Sequence, residues 1–160
     1  MVVALALAAV LAVLAGALAA VAATHDSSRH AIDRGRTAAV AAATSGVATV
    51  LSYDYRHLQG DFSRAEALLT PGRKGFRQQY VRTTAKGVEP LAAKYKAVST
   101  AEVSAAGIVE SDADRAVVLV FVSQTVTNSQ LPQPRLDRSR IKVTLVRVGD
   151  SWLIDGLDPV

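Results

Sequence analysis

The sequence predicts an α+β fold, with helices first and strands afterwards, behind an N-terminal apolar segment. Three observations carry this. Val2 to Ala23, "VVALALAAVLAVLAGALAAVAA", is an uncharged run of about 22 residues; at about 1.5 Å rise per residue, a helix of that length crosses a hydrocarbon core of about 30 Å. From there to Lys96 the apolar residues recur at steps of three and four, and from Ala97 onward the period changes to two.

The elements follow in order. The first run is apolar on every face, which suits a transmembrane helix better than a helix of a soluble core. It is longer than a signal-peptide apolar region of about 7–15 residues, and no basic segment precedes it. It therefore reads as a retained anchor over residues 1–24 rather than a cleaved leader. Residues 25–46 read as a helical stalk continuing into an α+β domain over residues 47–160. The stripe Val40, Thr44, Val47, Leu51, Tyr55 and Leu58 marks one helix, ended by Gly60, with Asp61 capping the next helix, "FSRAEALL". Thr70-Pro71 reads as another helix start. The helix "RKGFRQQYVRTTAKGV" presents Phe76, Tyr80 and Val81 to the core, and Pro90 either kinks it or opens a short further segment.

The strands are "VSTAEVSAAGIV", "RAVVLVFVSQTVT", "RSRIKVTLVRV" and "SWLIDGL", separated by the turn "ESDAD", the loop "NSQLPQPRLD" and a tight hairpin turn at Gly149-Asp150. The second strand is apolar on both faces and belongs at the centre of its sheet. About three helices over one face of a curved, four-stranded antiparallel sheet is the layout of the nuclear-transport-factor-2-like (NTF2-like) and cystatin-like cone folds. Such a fold can hold a pocket between helices and sheet, so architecture alone does not exclude an enzyme.

Composition removes several function classes. The net charge is only +4, and no Lys/Arg run carries interleaved aromatics, so nucleic acid is not an expected partner. The absence of cysteine removes disulfides and thiolate metal sites. His25, His30 and His57 have no acidic residue at metal-ligand spacing. There is no nucleophile elbow, P-loop or glycine-rich dinucleotide turn, so neither metal nor cofactor is expected.

The one cluster of reactive side chains is "SYDYRH", Ser52 to His57. On a continuous helix, Asp54 and Tyr55 fall at the two edges of the apolar stripe, while Tyr53, Arg56 and His57 point away. A half-buried carboxylate beside a phenol is the pair with which small cone-fold isomerases and dehydratases move a proton and stabilise an enolate. The structural alternative is stronger: an edge tyrosine buries its ring and wets its hydroxyl, and an edge aspartate pairs with a nearby cation. Tyr80 and Trp152 join Asp54 and Tyr55 as pocket or docking candidates, with Trp152 expected to plug the core. Arg138, Arg140 and Lys142, at period two on one strand, form a basic stripe suited to an acidic partner or lipid headgroups.

The layout, together with "SYDYR", "AVVLVFVSQTVTN" and the terminal "VTLVRVGDSWLIDGLDP", resembles the Mce-associated membrane proteins of actinobacteria. The likeness runs from about Arg34 to the C-terminus. It implies a small single-pass envelope protein with an exterior α+β domain and a non-enzymatic accessory role. Its implied partners are the bilayer and the subunits of Mce complexes, which import lipids or sterols. The resemblance offers no catalytic residues. It places the domain outside the cytoplasm, against a simple count of Arg29, Arg34 and Arg36 beside the anchor. The sequence departs from the family pattern by lacking a substantial cytoplasmic tail.

Overall fold

The computed structural model describes residues 33–72 and 74–160. The anchor expected over residues 1–24 and the beginning of the stalk lie outside the described residues. Among the described residues, no helix is long and apolar enough to cross a membrane.

The chain forms helix α1 (residues 33–51), a two-residue strand β1 (Tyr53–Asp54), helix α2 (Leu58–Ala67), helix α3 (Phe76–Tyr80), one wide π turn (Val81–Ala85) and helix α4 (Lys86–Tyr95). Four long strands follow: β2 (Val98–Ser111), β3 (Arg115–Thr127), β4 (Arg135–Val148) and β5 (Ser151–Pro159). They form one antiparallel meander in the order β1-β2-β3-β4-β5, so every strand pairs with its neighbour in sequence. β3 is central, as its apolar faces predict. Val148 pairs with Ser151 across a two-residue turn, and Gly149 takes φ 62°, the left-handed conformation such hairpin turns require.

The helices cover one face of the sheet. On that face Val118, Val120 and Val122 of β3 and Ile141, Val143 and Leu145 of β4 alternate inward and are buried. Each fully buried aliphatic side chain contributes about 1.5–3 kcal/mol. The buried stripe of α1 is Ala39, Ala43, Val47 and Val50, which shares Val47 with the predicted stripe and otherwise lies one residue before it. Alanine leads because the helix lies close to the sheet: a Cβ added at Gly46 would stand 2.8 Å from Ile154 Cδ1. Since Ala39 and Ala43 are fully buried, α1 belongs to the core well before residue 47, and the compact unit runs from Arg36 to Val160.

Several predicted helix boundaries are corrected. α1 ends at Leu51 and not at Gly60, which lies inside α2. Thr70-Pro71 is loop, and α3 begins after Gly75. Thr70 still serves the helix start, because its Oγ1 accepts the Phe76 N–H at 3.0 Å. Pro90 lies inside α4, which ends with Lys96 in the left-handed conformation (φ 52°). Asp155 bulges out between the paired residues Ile154 and Gly156, and it accepts the Thr70 hydroxyl at 2.6 Å.

Candidate functional site

The residues expected to continue a helix instead cross to the sheet. The Leu51 carbonyl, orphaned where α1 stops, accepts the Ser99 hydroxyl at 2.8 Å and the Gln124 amide at 3.3 Å. Gln124 also donates to Ser99 Oγ at 2.8 Å, so β2 and β3 together close the helix end. Ser52 Oγ then accepts the Ala101 N–H at 2.9 Å, and Tyr53 and Asp54 pair with Ser99 and Val98. The helix breaks because sheet groups offer its last carbonyl and the following backbone better partners than another turn would.

This placement redistributes the cluster. Tyr53, expected to face away, is half-buried, with its ring 6.1 Å from that of Phe62; Phe62 in turn meets Tyr80 edge-on at 6.4 Å. Burial pushes the Tyr53 phenol up. Tyr55 is in the turn after β1, with the Arg56 guanidinium carbon 5.8 Å from its ring centre.

Asp54 is occupied by its neighbour. Its carboxylate accepts Arg56 Nε at 2.9 and 3.1 Å, Arg56 Nη2 at 2.5 Å and the Arg56 backbone N–H at 2.9 Å. Those side-chain hydrogen bonds first, and the backbone one next, hold its pKa at about 2. A proton-transfer base working near neutrality needs the opposite shift. Asp61 is the buried carboxylate here: its Oδ2 accepts the Asp54 N–H at 2.8 Å, and its Oδ1 is paired with Arg64 Nη2. Asp61 does not cap α2 as the sequence predicts: the N-cap is His57, and Asp61, inside the helix, ties it back to β1. Thr49, Ser52, Tyr53, Asp54, Asp61 and Arg64 line an open cleft of ≈ 460 Å³ with the start of β2.

The other candidates lie elsewhere. Tyr80 is buried at the end of α3, and among the described residues its hydroxyl has no hydrogen-bond partner. Burial first, then the nearby Glu66 and Asp61 carboxylates, push its pKa up to about 12. It borders a second, more apolar cleft of ≈ 260 Å³, between α3 and the π turn on one side and Ile141, Leu157 and Pro159 on the other. Neither Asp54 nor Tyr55 lines that cleft. Trp152 on β5 pairs across the ladder with Arg147 and packs, half-buried, against the core.

Arg138, Arg140 and Lys142 are exposed on the sheet face away from the helices. Among the described residues none of the three has an ion-pair partner, although Asp158 stands opposite Lys142 across the ladder. Arg138 and Arg140 flank the exposed Phe121 in a shallow groove of ≈ 330 Å³. Among the described residues, no group of three His, Asp or Glu side chains could hold a metal ion. Sequence reasoning missed Ser99 and Gln124, which organise the region, and gave Asp61 the role of a helix cap instead of a tie between α2 and β1. The single available signal was polarity at positions where a strand or helix pattern asked for apolar residues.

Comparison with solved structures places this architecture. The chain is similar to an IcmL-like type IV secretion system protein from Legionella pneumophila, with TM-score 0.63 and 8% identity over 76% of this chain and 88% of that one. CagV, a VirB8 homolog from Helicobacter pylori, matches with TM-score 0.60 and 9% identity over 78% and 97%. An NTF2-like superfamily protein from Salmonella enterica matches with TM-score 0.52 and 15% identity over 73% and 86%. At such identities the likeness is one of fold, and the fold is the NTF2-like cone. Sequence relatives are mycobacterial. Uncharacterized protein Rv1362c of Mycobacterium tuberculosis is 39% identical over 77% of this chain, which spans about half (54%) of that relative's length. Outer membrane protein Rv1973 of the same species is 37% identical over 78% of this chain and 76% of that protein. The family model described as "Uncharacterized protein Rv1363c/MT1408-like" matches residues 1–152, nearly the whole chain, and the protein belongs to that family.

Proposed function

We propose that the protein is a non-enzymatic accessory subunit of the cell envelope. In this reading it is held by a single N-terminal span, and its exterior domain stabilises or assembles an Mce-type complex that imports lipids or sterols. The observation that carries this reading is the state of the reactive cluster. Asp54 is locked by Arg56 with its pKa held down, and Asp61 is tied to Arg64 and to backbone. The carboxylates that could move a proton serve instead to close the turn after β1, in the case of Asp54, and to join α2 to β1, in the case of Asp61. Further support comes from a relative named an outer membrane protein and from the cone fold shared with proteins titled as secretion-system components. The test is a pull-down of the full chain, tagged at its C-terminus, from native membranes. Recovery of Mce-type subunits is expected, and their absence from crosslinked complexes sinks the proposal. A reporter fused to the C-terminus tests the exterior placement separately.

A second reading, a binding domain for a small apolar molecule, is favoured by the cleft beside Tyr80. Its volume of ≈ 260 Å³ falls just under the usual range for small-ligand pockets, about 300–1,000 Å³. If it holds a ligand, filling the cleft through Thr83→Trp abolishes uptake of a fluorescent fatty acid by the purified full chain. Equal uptake by both forms excludes the cleft.

A further inference from the structure

The two edges of the sheet are treated differently. On the β5 edge the segment after α2 covers Ile154: the Thr70 N–H donates to the Ile154 carbonyl and the Ile154 N–H to the Leu68 carbonyl, each at 2.9 Å. On the other edge β2 is 14 residues long, but β1 is only 2 and pairs with Val98 and Ser99 alone. Ser52 Oγ takes the Ala101 N–H, and beyond it no strand lies outside Glu102–Ser111 among the described residues. Alternate residues of a strand direct their N–H and C=O groups to the same side, so about ten residues leave about five donor–acceptor pairs facing outward. Such an edge templates strand addition unless lysine, proline, bulges or a covering segment block it.

β2 contains neither lysine nor proline. Its two bulges, between Val103 and Ala105 and between Ile108 and Glu110, leave a regular stretch from Ala105 to Ile108. Small residues there, including Gly107 with open space around it, present little steric barrier. Val109 is 55% exposed. Glu102 and Glu110 stand at the two ends of this window, and neither has an ion-pair partner among the described residues. A second copy of the chain added antiparallel about Ala106 would set Glu102 against Glu110 twice, and like charges directly opposite are destabilising. The same two carboxylates favour an incoming strand with a cation at each end.

We propose that the open edge of β2 is a strand-addition site for a short extended segment of another protein, a few small or β-branched residues flanked by Lys or Arg. Main-chain pairing would supply affinity, and the flanking charges would set register and exclude self-association. The inference goes beyond the accessory role and does not depend on which complex the protein joins.

The test uses the purified full chain in detergent micelles, with hydrogen exchange as readout and two synthetic peptides as probes. One is KTVAVTVK and the other ETVAVTVE, both blocked at their ends. The lysine-ended peptide is expected to slow exchange across Glu102–Ser111 by about tenfold or more, with the glutamate-ended peptide ineffective. The exposed double substitution Glu102→Lys/Glu110→Lys is expected to reverse that preference without changing Trp152 fluorescence. Should the variant misfold, the contrast between peptides on the unaltered chain still decides. No slowing, equal slowing by both peptides, or slowing confined to β5 overturns the proposal. So does protection of the outward-facing amides without peptide, whether it grows with protein concentration or not. Because no complex enters this experiment, its failure is distinct from a failed pull-down.

Discussion

Asp54 keeps its charge through a fork of hydrogen bonds from Arg56, and this has a pH signature. A carboxylate whose folded pKa lies below its unfolded value adds stability above the unfolded pKa, and that stability is lost as pH falls through the folded one. Here the window runs from the ordinary value of 3.8 down to about 2. Asp54→Asn is expected to remove the part of the acid sensitivity that falls in this window, read as denaturant midpoints at pH 5, 3 and 2. Tyr80 has the opposite sign. Its raised folded pKa makes its contribution complete below 10 and lost as pH rises towards about 12. Because its hydroxyl is buried without a partner among the described residues, Tyr80→Phe is expected to stabilise the domain by about 1 kcal/mol and to flatten the alkaline limb of its stability profile. Gly75 is fixed for steric reasons, since a Cβ there runs into the carbonyl oxygens of Thr70 and Pro71. Gly75→Ala is expected to cost about 3 kcal/mol in urea unfolding. Gly46→Ala, which meets the movable tip of Ile154, should cost less.

At the scale of elements, the end of α1 is set by residues far along the chain: Ser99 lies 48 positions from Leu51, and Gln124 lies 73. Ser99→Ala leaves the Leu51 carbonyl underserved and deprives Gln124 of an acceptor, and is expected to cost about 1–2 kcal/mol. The double variant Ser99→Ala/Gln124→Ala should cost less than the sum of the singles in denaturant melts, because the three groups form one network. The same distances explain which parts of the fold were legible in the sequence. The strands announced themselves through alternation, and the last hairpin through Gly149-Asp150, because those signals are local. The stop of α1 was not legible, since Gly60 offered a local stop signal and Ser99 gave none. Asp54 was singled out as reactive and as a partner for a nearby cation. Its removal from the helix, and with it the inward turn of Tyr53 instead of Tyr55, followed from edge pairing that no periodicity within Ser52–His57 reveals.

Over the whole molecule, the meander makes most pairings sequential, and one residue gathers several of the exceptions. Ile154 is 1% exposed; its side chain abuts Gly46 of α1, and its backbone bonds Leu68 and Thr70. Ile154→Ala is expected to cost about 2–5 kcal/mol, measured by urea unfolding. It should also loosen α1 and the segment after α2 together, seen as faster amide exchange in both. Strand order thus assigns the keystone to the end of the chain. During synthesis the hairpins β2–β3 and β3–β4 can form as they emerge, because each needs only its immediate neighbour. The contacts that α1 and the segment after α2 make with Ile154 must wait until β5 has left the ribosome, so the helix layer is completed last. Until then the sheet can be largely built while the helix layer still lacks its last partner. In that interval a chaperone or a partner has its best opportunity to meet surfaces that the finished protein hides.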